Sequence, residues 1–225
     1  MKYIILHQVG NAPGRFTITP ERANRVISSG RANVITFDDG YQSVFEFLVK
    51  QSHILPNVIL FIVAGKVGGT NSWDKTGELA GQKLMDWDQI KELHRFGVKI
   101  GSHGLNHIDP TKVTDGELEK ELKGSKRIIE ENINAKVESF AYPFGYFNER
   151  VIAFVKEAGY KEAYTTCDSV LQGWGNPYRK GRIEITGAEP DWLVKAKING
   201  SYDLKVIFEL PKLVVEKTWL MLKPR

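Results

Sequence analysis

Short β-like runs alternate with helical patterns along nearly all of this 225-residue chain, and this alternation constrains its fold more than any other feature. Seven runs are rich in apolar and β-branched residues, as strands are. They are Tyr3–His7, Asn33–Asp38, Asn57–Ile62, Val98–Ser102, Val137–Tyr142, Lys161–Thr165 and Arg182–Thr186. Strands that alternate with helices predict an α/β fold with a parallel sheet, either closed as a barrel or open and doubly wound.

The predicted helices between these strands have recognisable ends. Asp86 precedes Gln89, and Thr114 precedes Glu117, at the spacing of a capping box. Asn148 is expected to cap a further helix. There is no low-complexity linker and no internal repeat, so we expect one folded domain over residues 1–200.

The potentially reactive side chains all follow predicted strands. His7, Asp38, Asp39 and His103 lie at strand ends, and Pro143 follows another strand. In a β/α barrel the carboxyl ends of the strands share one rim, where catalytic groups converge. An open sheet would place these residues less evenly. Their positions therefore favour a barrel.

Composition excludes several classes of site and partner. Apolar residues make up 42% of the chain, as in an ordinary globular protein, and the net charge is only +4. Basic and acidic residues alternate along the chain, which gives no reason to expect a nucleic-acid partner. Cys167 is the single cysteine, so an intrachain disulfide and a thiolate zinc cluster are both excluded.

The two ends of the chain bear on its location. The apolar run at residues 3–6 is too short for a signal peptide or a membrane span, so we expect a cytoplasmic enzyme unless a leader was removed. Residues 201–225 mix apolar residues with lysines and an arginine. We expect an amphipathic helix there, either packed on the barrel or in peripheral contact with an anionic membrane surface.

An aspartate pair, Asp38-Asp39, ends the second predicted strand and is followed by Gly40. Successive side chains of a strand point to opposite faces, so the two carboxylates diverge unless the chain turns there. Gly40 can supply that turn. In isolation, Asp-Asp-Gly after a strand is also typical of a turn without any function.

A histidine pair, His103 and His107, follows another strand. Two histidines four residues apart would lie on one face of a helical turn, and a carboxylate from another strand could complete a metal site. A second carboxylate beside the metal would be free to act as a base, which suits metal-assisted hydrolysis. Two imidazoles and a carboxylate suit Zn²⁺, and Co²⁺, Ni²⁺ and Mn²⁺ fit as well.

Three motifs together resemble a known family. They are Thr36-Phe37-Asp38-Asp39-Gly40, His103-x-x-x-His107 and Phe140-Ala141-Tyr142-Pro143-Phe144-Gly145. Their order and spacing are similar to those of the polysaccharide deacetylases, the NodB-type domain of carbohydrate esterase family four. The similarity runs from about residue 2 to about residue 198. It implies a distorted, TIM-like (β/α)7 barrel.

The resemblance also implies roles for individual residues. Asp39, His103 and His107 would be the metal ligands, and Asp38 would be the general base. The backbone N–H of Phe144 would stabilise the oxyanion. His7 would protonate the departing amine, as in the branch similar to poly-N-acetylglucosamine deacetylases, where this histidine lies on the first strand.

The chain departs from the family pattern at several positions. Ala141 stands where many members have an arginine that orients the catalytic aspartate, and Arg182 is the candidate to replace it. Trp73, Trp174 and Tyr146 are candidates to contact sugar rings. Asp191-Trp192 resembles a fourth family motif superficially, but Pro190 before it favours the start of a helix.

The sequence therefore predicts a metal-dependent deacetylase that hydrolyses the acetamide of an N-acetylated glycan or glycan precursor and releases acetate. Two alternatives remain open at this point. One is a hydrolase of another amide or ester, such as a cyclic ureide, on the same metal site. The other is a glycan-binding protein whose catalytic activity has decayed.

Overall fold

The computed structural model describes residues 2–12, 14–29, 33–51, 57–166 and 175–199. Its strands are β1 (Lys2–Leu6), β2 (Gln8–Val9), β3 (Thr17–Ile18), β4 (Asn33–Phe37), β5 (Val58–Ile62), β6 (Lys99–Ser102), β7 (Ser139–Ala141), β8 (Glu162–Tyr164) and β9 (Ile183–Glu184). Strands β2 and β3 pair with each other. The other seven form one sheet in the order β8-β7-β6-β5-β4-β1-β9, and every pairing in it is parallel.

The two edges of the large sheet meet. Tyr164 of β8 forms a parallel bridge with Lys180, shortly before β9. The N–H of Thr165 donates to the carbonyl of Lys180, and the N–H of Lys180 donates to that of Ala163. This contact closes the sheet, so the predicted distorted barrel is confirmed and the open, doubly wound alternative is wrong. All seven predicted strands are present, within two residues of their predicted bounds.

The helices are α1 (Pro20–Ile27), α2 (Gln42–Leu48), α3 (Trp87–Arg95), α4 (Asp115–Ile133), α5 (Glu149–Glu157) and α6 (Asp191–Asn199). Helices α3 and α4 begin with the predicted capping boxes, and Asn148 caps α5 through the N–H of Val151. Helix α6 begins at Asp191, as predicted. No described helix is long and apolar enough to cross a membrane.

The chain divides into two compact units, residues 1–188 and 189–225, and the barrel belongs to the first. The domain boundary that the sequence analysis placed at residue 200 stays a prediction. Cys167, Trp174 and the predicted helix at residues 201–225 lie outside the described residues.

The register of the sheet sets the positions of the candidate site residues. Leu6 pairs with Phe37, which brings His7 and Asp38 to neighbouring strand ends. Ile62 pairs with Ser102, and the N–H of His103 donates to the carbonyl of Ile62. Strand β5 is buried along its whole length, so the rim rests on a rigid apolar core.

Candidate active site

A cavity of about 400 Å³ opens at the carboxyl ends of the strands. The predicted site residues that line it are His7, Asp38, Asp39, His103, His107, Phe144 and Tyr146. Trp73, which the sequence offered as a sugar contact, lines it too. Arg182 lies fully buried directly behind Asp38. The fold therefore brings together the described candidates that came from distant parts of the sequence.

The Asp-Asp-Gly segment makes the tight turn that both carboxylates need. Asp39 has a φ of 71° and Gly40 a φ of 85°, and the N–H of Gly40 donates to the carbonyl of Asp38. A positive φ is unfavourable for an aspartate and has to be held by its surroundings. The turn directs both carboxylates into the same cavity, instead of to opposite faces of the strand.

Asp38 is bound by Arg182 through both of its oxygens. Nη1 and Nη2 of Arg182 donate to Oδ1 and Oδ2 of Asp38 at 2.6 and 2.8 Å. Thr36 and the carbonyl of Thr165 fix the same guanidinium. Burial alone would raise the pKa of Asp38, but the charge and hydrogen bonds of Arg182, together with the nearby histidines His103 and His7, outweigh burial and lower the pKa to about 2. Asp38 is therefore ionised throughout the neutral pH range.

The histidine pair lies on a loop, so the prediction of a helical turn is wrong. Residues 103–107 form no helix, and Gly104 and His107 have φ values of 83° and 57°. Such left-handed residues interrupt a right-handed helix. Both imidazoles nevertheless face Asp39, with their Nε2 atoms 3.5 Å (His103) and 3.4 Å (His107) from its Oδ1.

Glu121 of α4 holds this loop in place, a role that the sequence did not reveal. Its Oε2 accepts hydrogen bonds from the N–H groups of Leu105 and Asn106 at 2.8 and 2.9 Å, and its Oε1 accepts one from the Asn106 side chain. On the other side, the N–H groups of Ala64 and Gly65 bind carbonyls of the same loop. The available signal was an acidic residue within the apolar stripe of α4.

Asp39, His103 and His107 form a buried group whose ligand atoms all lie within 4.8 Å of one another. The Nδ1 of His103 lies 2.8 Å from the carbonyl of Ala141, which can only accept. His103 therefore carries its proton on Nδ1 when neutral, and its Nε2 lone pair faces a carboxylate oxygen of Asp39. Two acceptors face each other across this gap, which is the arrangement that a bound cation relieves.

The electrostatics of the three residues also fit a cation. Burial, and then the charge of Asp38, raise the pKa of Asp39 to about 8. Burial lowers the pKa of His103, and it lowers that of His107 to about 2, so both imidazoles are neutral as metal ligands must be. Asp39 Oδ1 and His107 Nδ1 are buried without a hydrogen-bond partner among the described residues. The donor set of two imidazoles and one carboxylate suits Zn²⁺.

His7 lies at the same rim, partly buried and packed edge-on against the ring of Phe16 at 5.1 Å. Burial lowers its pKa to about 4, although the nearby charge of Asp38 acts in the opposite direction. His7 is therefore neutral at neutral pH, and it is close enough to Asp38 for their charges to interact.

Aromatic rings form a continuous row beside these polar groups. Trp73 stacks on His107 at 4.6 Å, Phe144 packs edge-on against His107 at 4.6 Å, and Tyr146 lies 5.9 Å from Phe144. Phe144 and Tyr146 are 45% and 53% exposed, so two large apolar rings are open to solvent beside the cavity. Trp174, the other predicted sugar contact, lies outside the described residues.

Comparison with known proteins places the chain in a family. The sequence pattern of the family described as polysaccharide deacetylase matches residues 26–163, which is more than half of the chain. The chain belongs to the polysaccharide deacetylase family. Among solved structures, the Streptococcus pyogenes deacetylase PplD in complex with acetate shares its fold, with a TM-score of 0.70 at 16% identity over 87% of this chain and 96% of PplD.

Two curated relatives in this family are similar over most of the chain. YxkH of Bacillus subtilis is 24% identical over 77% of this chain. The poly-beta-1,6-N-acetyl-D-glucosamine N-deacetylase of Staphylococcus aureus is 22% identical over 72% of it. The aligned part spans 60% and 57% of the length of these two relatives.

Proposed function

We propose that this chain is a metal-dependent N-deacetylase that hydrolyses the acetamide of an N-acetylated sugar, in a glycan or glycan precursor, and releases acetate. The observation that carries the proposal is one cavity that joins Asp39, His103 and His107 to a separate carboxylate, Asp38, held by Arg182. Family membership and the amide substrate named for the Staphylococcus aureus relative support the same reaction.

Asp39, His103 and His107 are the residues that would hold a divalent ion, with Zn²⁺ the first choice and Co²⁺, Ni²⁺ and Mn²⁺ as alternatives. Bound there, the ion would supply a Lewis acid that polarises the acetamide carbonyl and lowers the pKa of water. The backbone carbonyl of Ala141 orients the imidazole of His103, and the hydrogen bonds to Glu121 fix the loop that carries both histidines.

Asp38 serves as the general base in this proposal. Its low pKa keeps the carboxylate ionised, and each oxygen bound to Arg182 retains a second lone pair that can accept a proton from water. Its Oδ2 lies 3.7 Å from Nε2 of His103, so the base borders the metal site. Arg182 replaces the arginine that many family members place at the position of Ala141.

His7 protonates the departing amine in this proposal. It shares the cavity with Asp38 but belongs to a different strand end, so the two groups can act on different sides of the scissile bond. Because burial keeps His7 neutral before the reaction, the proton that it gives to the amine must be the one that Asp38 takes from water, passed on to His7 before the C–N bond breaks. The backbone N–H of Phe144, at a φ of 58°, would stabilise the oxyanion.

The aromatic row supplies the sugar contacts. Trp73, Phe144 and Tyr146 present ring faces or edges beside the cavity, and apolar faces of sugar rings pack on such surfaces. Tyr146→Ala should raise KM with little change in kcat, since it removes binding area and no reacting group.

The test is acetate release from N-acetylglucosamine oligomers by purified protein, before and after removal of metal with a chelator. We expect release that stops on chelation and returns with Zn²⁺.

Asp38→Asn should keep the metal and lose turnover, and His7→Ala should slow turnover strongly at unchanged metal content. Full activity of Asp38→Asn would refute the assignment of the base. Hydrolysis confined to a panel of small amides or esters would instead favour the alternative hydrolase, and sugar binding without any hydrolysis would favour the decayed binder.

A further inference from the structure

Arg15 brings a positive charge to the candidate cavity, and no step proposed above uses it. Among the described residues that line the cavity, it is the one lysine or arginine, and its side chain is exposed. It forms no ion pair with any carboxylate in the described part of the chain. Its charge is therefore available to an anionic ligand that enters the cavity.

The loop that carries Arg15 joins β2 to β3, and its backbone is fixed. The N–H of Gly14 donates to the carbonyl of Thr17 at 2.9 Å. The carboxylate of Glu78 accepts from the N–H of Phe16 at 3.2 Å, so it binds the backbone of the loop. A Cβ on Gly14 would collide with that carboxylate, because the two segments pack so closely. The backbone on both sides of Arg15 is thus held in one conformation.

Ring contacts place Arg15 on the same side of the cavity as His7. Its guanidinium carbon lies 5.1 Å from the centre of the Phe16 ring, and that ring packs edge-on against His7 at 5.1 Å. In the proposed reaction His7 protonates the departing nitrogen, which is bonded to C2 of the sugar. The sugar ring must then lie toward His7. Substituents at C1 and C3 are the nearest to that nitrogen, and they are the ones that Arg15 would meet.

We propose that Arg15 binds an anionic group, a phosphate or a carboxylate, that the acetamido sugar carries at C1 or C3. The inference deepens the proposed function and rests on it. A guanidinium presents its N–H donors in a planar fork that matches the oxygens of both groups. The preferred substrate is then an acidic acetamido sugar, such as a glycosyl phosphate or a sugar with a carboxylate-bearing ether, and not a neutral oligomer.

Four carboxylates line the same cavity, so the balance of charge decides whether an anion can enter it. They are Asp38, Asp39, Asp74 and Glu184. Arg182 balances Asp38 in a bidentate ion pair. A divalent ion at the candidate metal site would balance two further charges, and Arg15 balances the last one. The loaded cavity then carries no net charge and does not repel an anion, whereas without Arg15 it would.

Asp74 does not lie beside the proposed anion site. It follows Trp73, whose ring stacks on His107 at 4.6 Å, so this carboxylate is on the side of the metal ligands. Its Oδ2 accepts from the amide of Asn71 at 2.8 Å, and the same amide donates to the hydroxyl of Tyr41 at 2.8 Å. The proposed anion site lies instead beside the proton donor at the end of β1.

The test compares acetate release from three sugars by metal-loaded wild type, Arg15→Gln and Arg15→Lys. The sugars are neutral methyl N-acetylglucosaminide, N-acetylglucosamine 1-phosphate, and the methyl glycoside of N-acetylmuramic acid, which carries a carboxylate on C3. We expect wild type to have a higher kcat/KM for at least one anionic sugar than for the neutral one. Arg15→Gln should lower this preference about 10-fold, because a hydrogen bond to a charged group is lost. Arg15→Lys should keep part of it, since the charge remains.

The preference, and not the rate on one sugar, is the measured quantity, because Arg15 lies close to His7 and its loss can change the turnover of every sugar. The preference should also weaken as the ionic strength rises. Arg95→Gln is the matched control, since Arg95 is an exposed arginine at the end of α3 that does not line this cavity. We expect the wild-type preference in this variant.

Equal kcat/KM for neutral and anionic sugars in wild type, or the same preference in wild type and Arg15→Gln, would overturn the anion site and leave the proposed deacetylase intact. No acetate release from any sugar would refute the proposed function. Calorimetric binding of the same sugars would then decide about Arg15. Tighter binding of an anionic sugar that is lost in Arg15→Gln would support the anion site, and equal affinities would overturn it.

Discussion

The two ends of the barrel differ in whether the polar groups described below find hydrogen-bond partners. At the amino ends of the strands, the ammonium of Lys180 binds Glu162 and the hydroxyl of Tyr3. The other oxygen of Glu162 accepts from Ser139 at 2.6 Å and from Tyr164 at 2.8 Å. Both oxygens of Glu162 and the charge of Lys180 are therefore satisfied within the protein.

At the carboxyl ends, polar groups remain unsatisfied and the backbone is strained. Of the four non-glycine residues with positive φ in the described chain, three are Asp39, His107 and Phe144. Oδ1 of Asp39 and Nδ1 of His107 are buried without a hydrogen-bond partner there. Strained backbone conformations and buried polar atoms without hydrogen-bond partners are costly, and they cluster at functional sites. The difference indicates that the amino end stabilises the barrel and the carboxyl end holds the candidate site, as in other β/α barrels.

The largest effect expected at the carboxyl end comes from His107→Ala. Loss of one ligand should abolish stable metal binding and reduce turnover about 10³-fold or more, because Lewis-acid stabilisation contributes several kcal/mol. The metal-free variant should remain folded. Metal content by atomic absorption and acetate release check the prediction. A variant that kept both its metal and its turnover would remove the functional side of the comparison.

Arg182 tests whether the buried ion pair serves the site, the fold or both. Arg182→Met would leave the charge of Asp38 buried without its partner, which costs about 3–5 kcal/mol of unfolding free energy. Arg182→Lys keeps the positive charge but loses the bidentate hydrogen bonding to Asp38, so turnover should fall about 10–100-fold with a smaller loss of stability. Denaturant unfolding and kcat separate the two effects. Unchanged kcat in Arg182→Lys would contradict a role in orienting Asp38.

Glu121 combines the two roles, since it is a structural residue whose hydrogen bonds fix the histidine loop of the candidate site. Glu121→Met would leave two backbone N–H groups without their acceptor, which costs about 1–3 kcal/mol, and should weaken Zn²⁺ binding. Glu119→Met, on an exposed position of the same helix, is the control and should change neither quantity. Wild-type Zn²⁺ affinity in Glu121→Met would show that the histidine loop keeps its conformation without its hydrogen bonds to Glu121.

The sequence predicts the barrel well and the local shape of the site less well. Seven apolar runs separated by capped helices specify a parallel sheet because strand burial and helix capping are local properties. The paired strands β2 and β3 were missed, since two-residue strands leave no periodic pattern. The aspartate turn was predicted from Gly40 because glycine adopts positive φ readily.

The errors concern contacts between distant segments. His-x-x-x-His spacing is the same in a helix and in this loop, and Gly104 was the residue that argued against a helix. Asn71 carries no local signal at all, because its partner Tyr41 lies thirty residues away along the chain. Residue roles of this kind depend on tertiary packing, which periodicity and spacing do not encode.

The smallest expected effect belongs to the amino end. Burial would raise the pKa of Glu162, but hydrogen bonds from Lys180, Ser139 and Tyr164 outweigh it and hold the pKa below 4.5. A carboxylate with a lowered pKa in the folded state stabilises the protein above its unfolded pKa and loses that contribution as the pH falls. Glu162→Gln should therefore cost on the order of 1 kcal/mol at neutral pH, and the deficit should shrink as the pH drops below 4.5. Turnover at neutral pH should be unchanged.

Glu138→Gln is the matched control, since Glu138 lies near the same end and forms its ion pair with Lys161 on the surface, where both side chains are at least half exposed. Exposed pairs contribute little, so this variant should match wild type at every pH. Chemical denaturation at several pH values measures both variants. If Glu162→Gln lowered kcat as strongly as His107→Ala, the two ends would not be separable. The hydrogen bonds at the amino end would then be needed to hold the candidate metal site in its active geometry, and would not only stabilise the barrel.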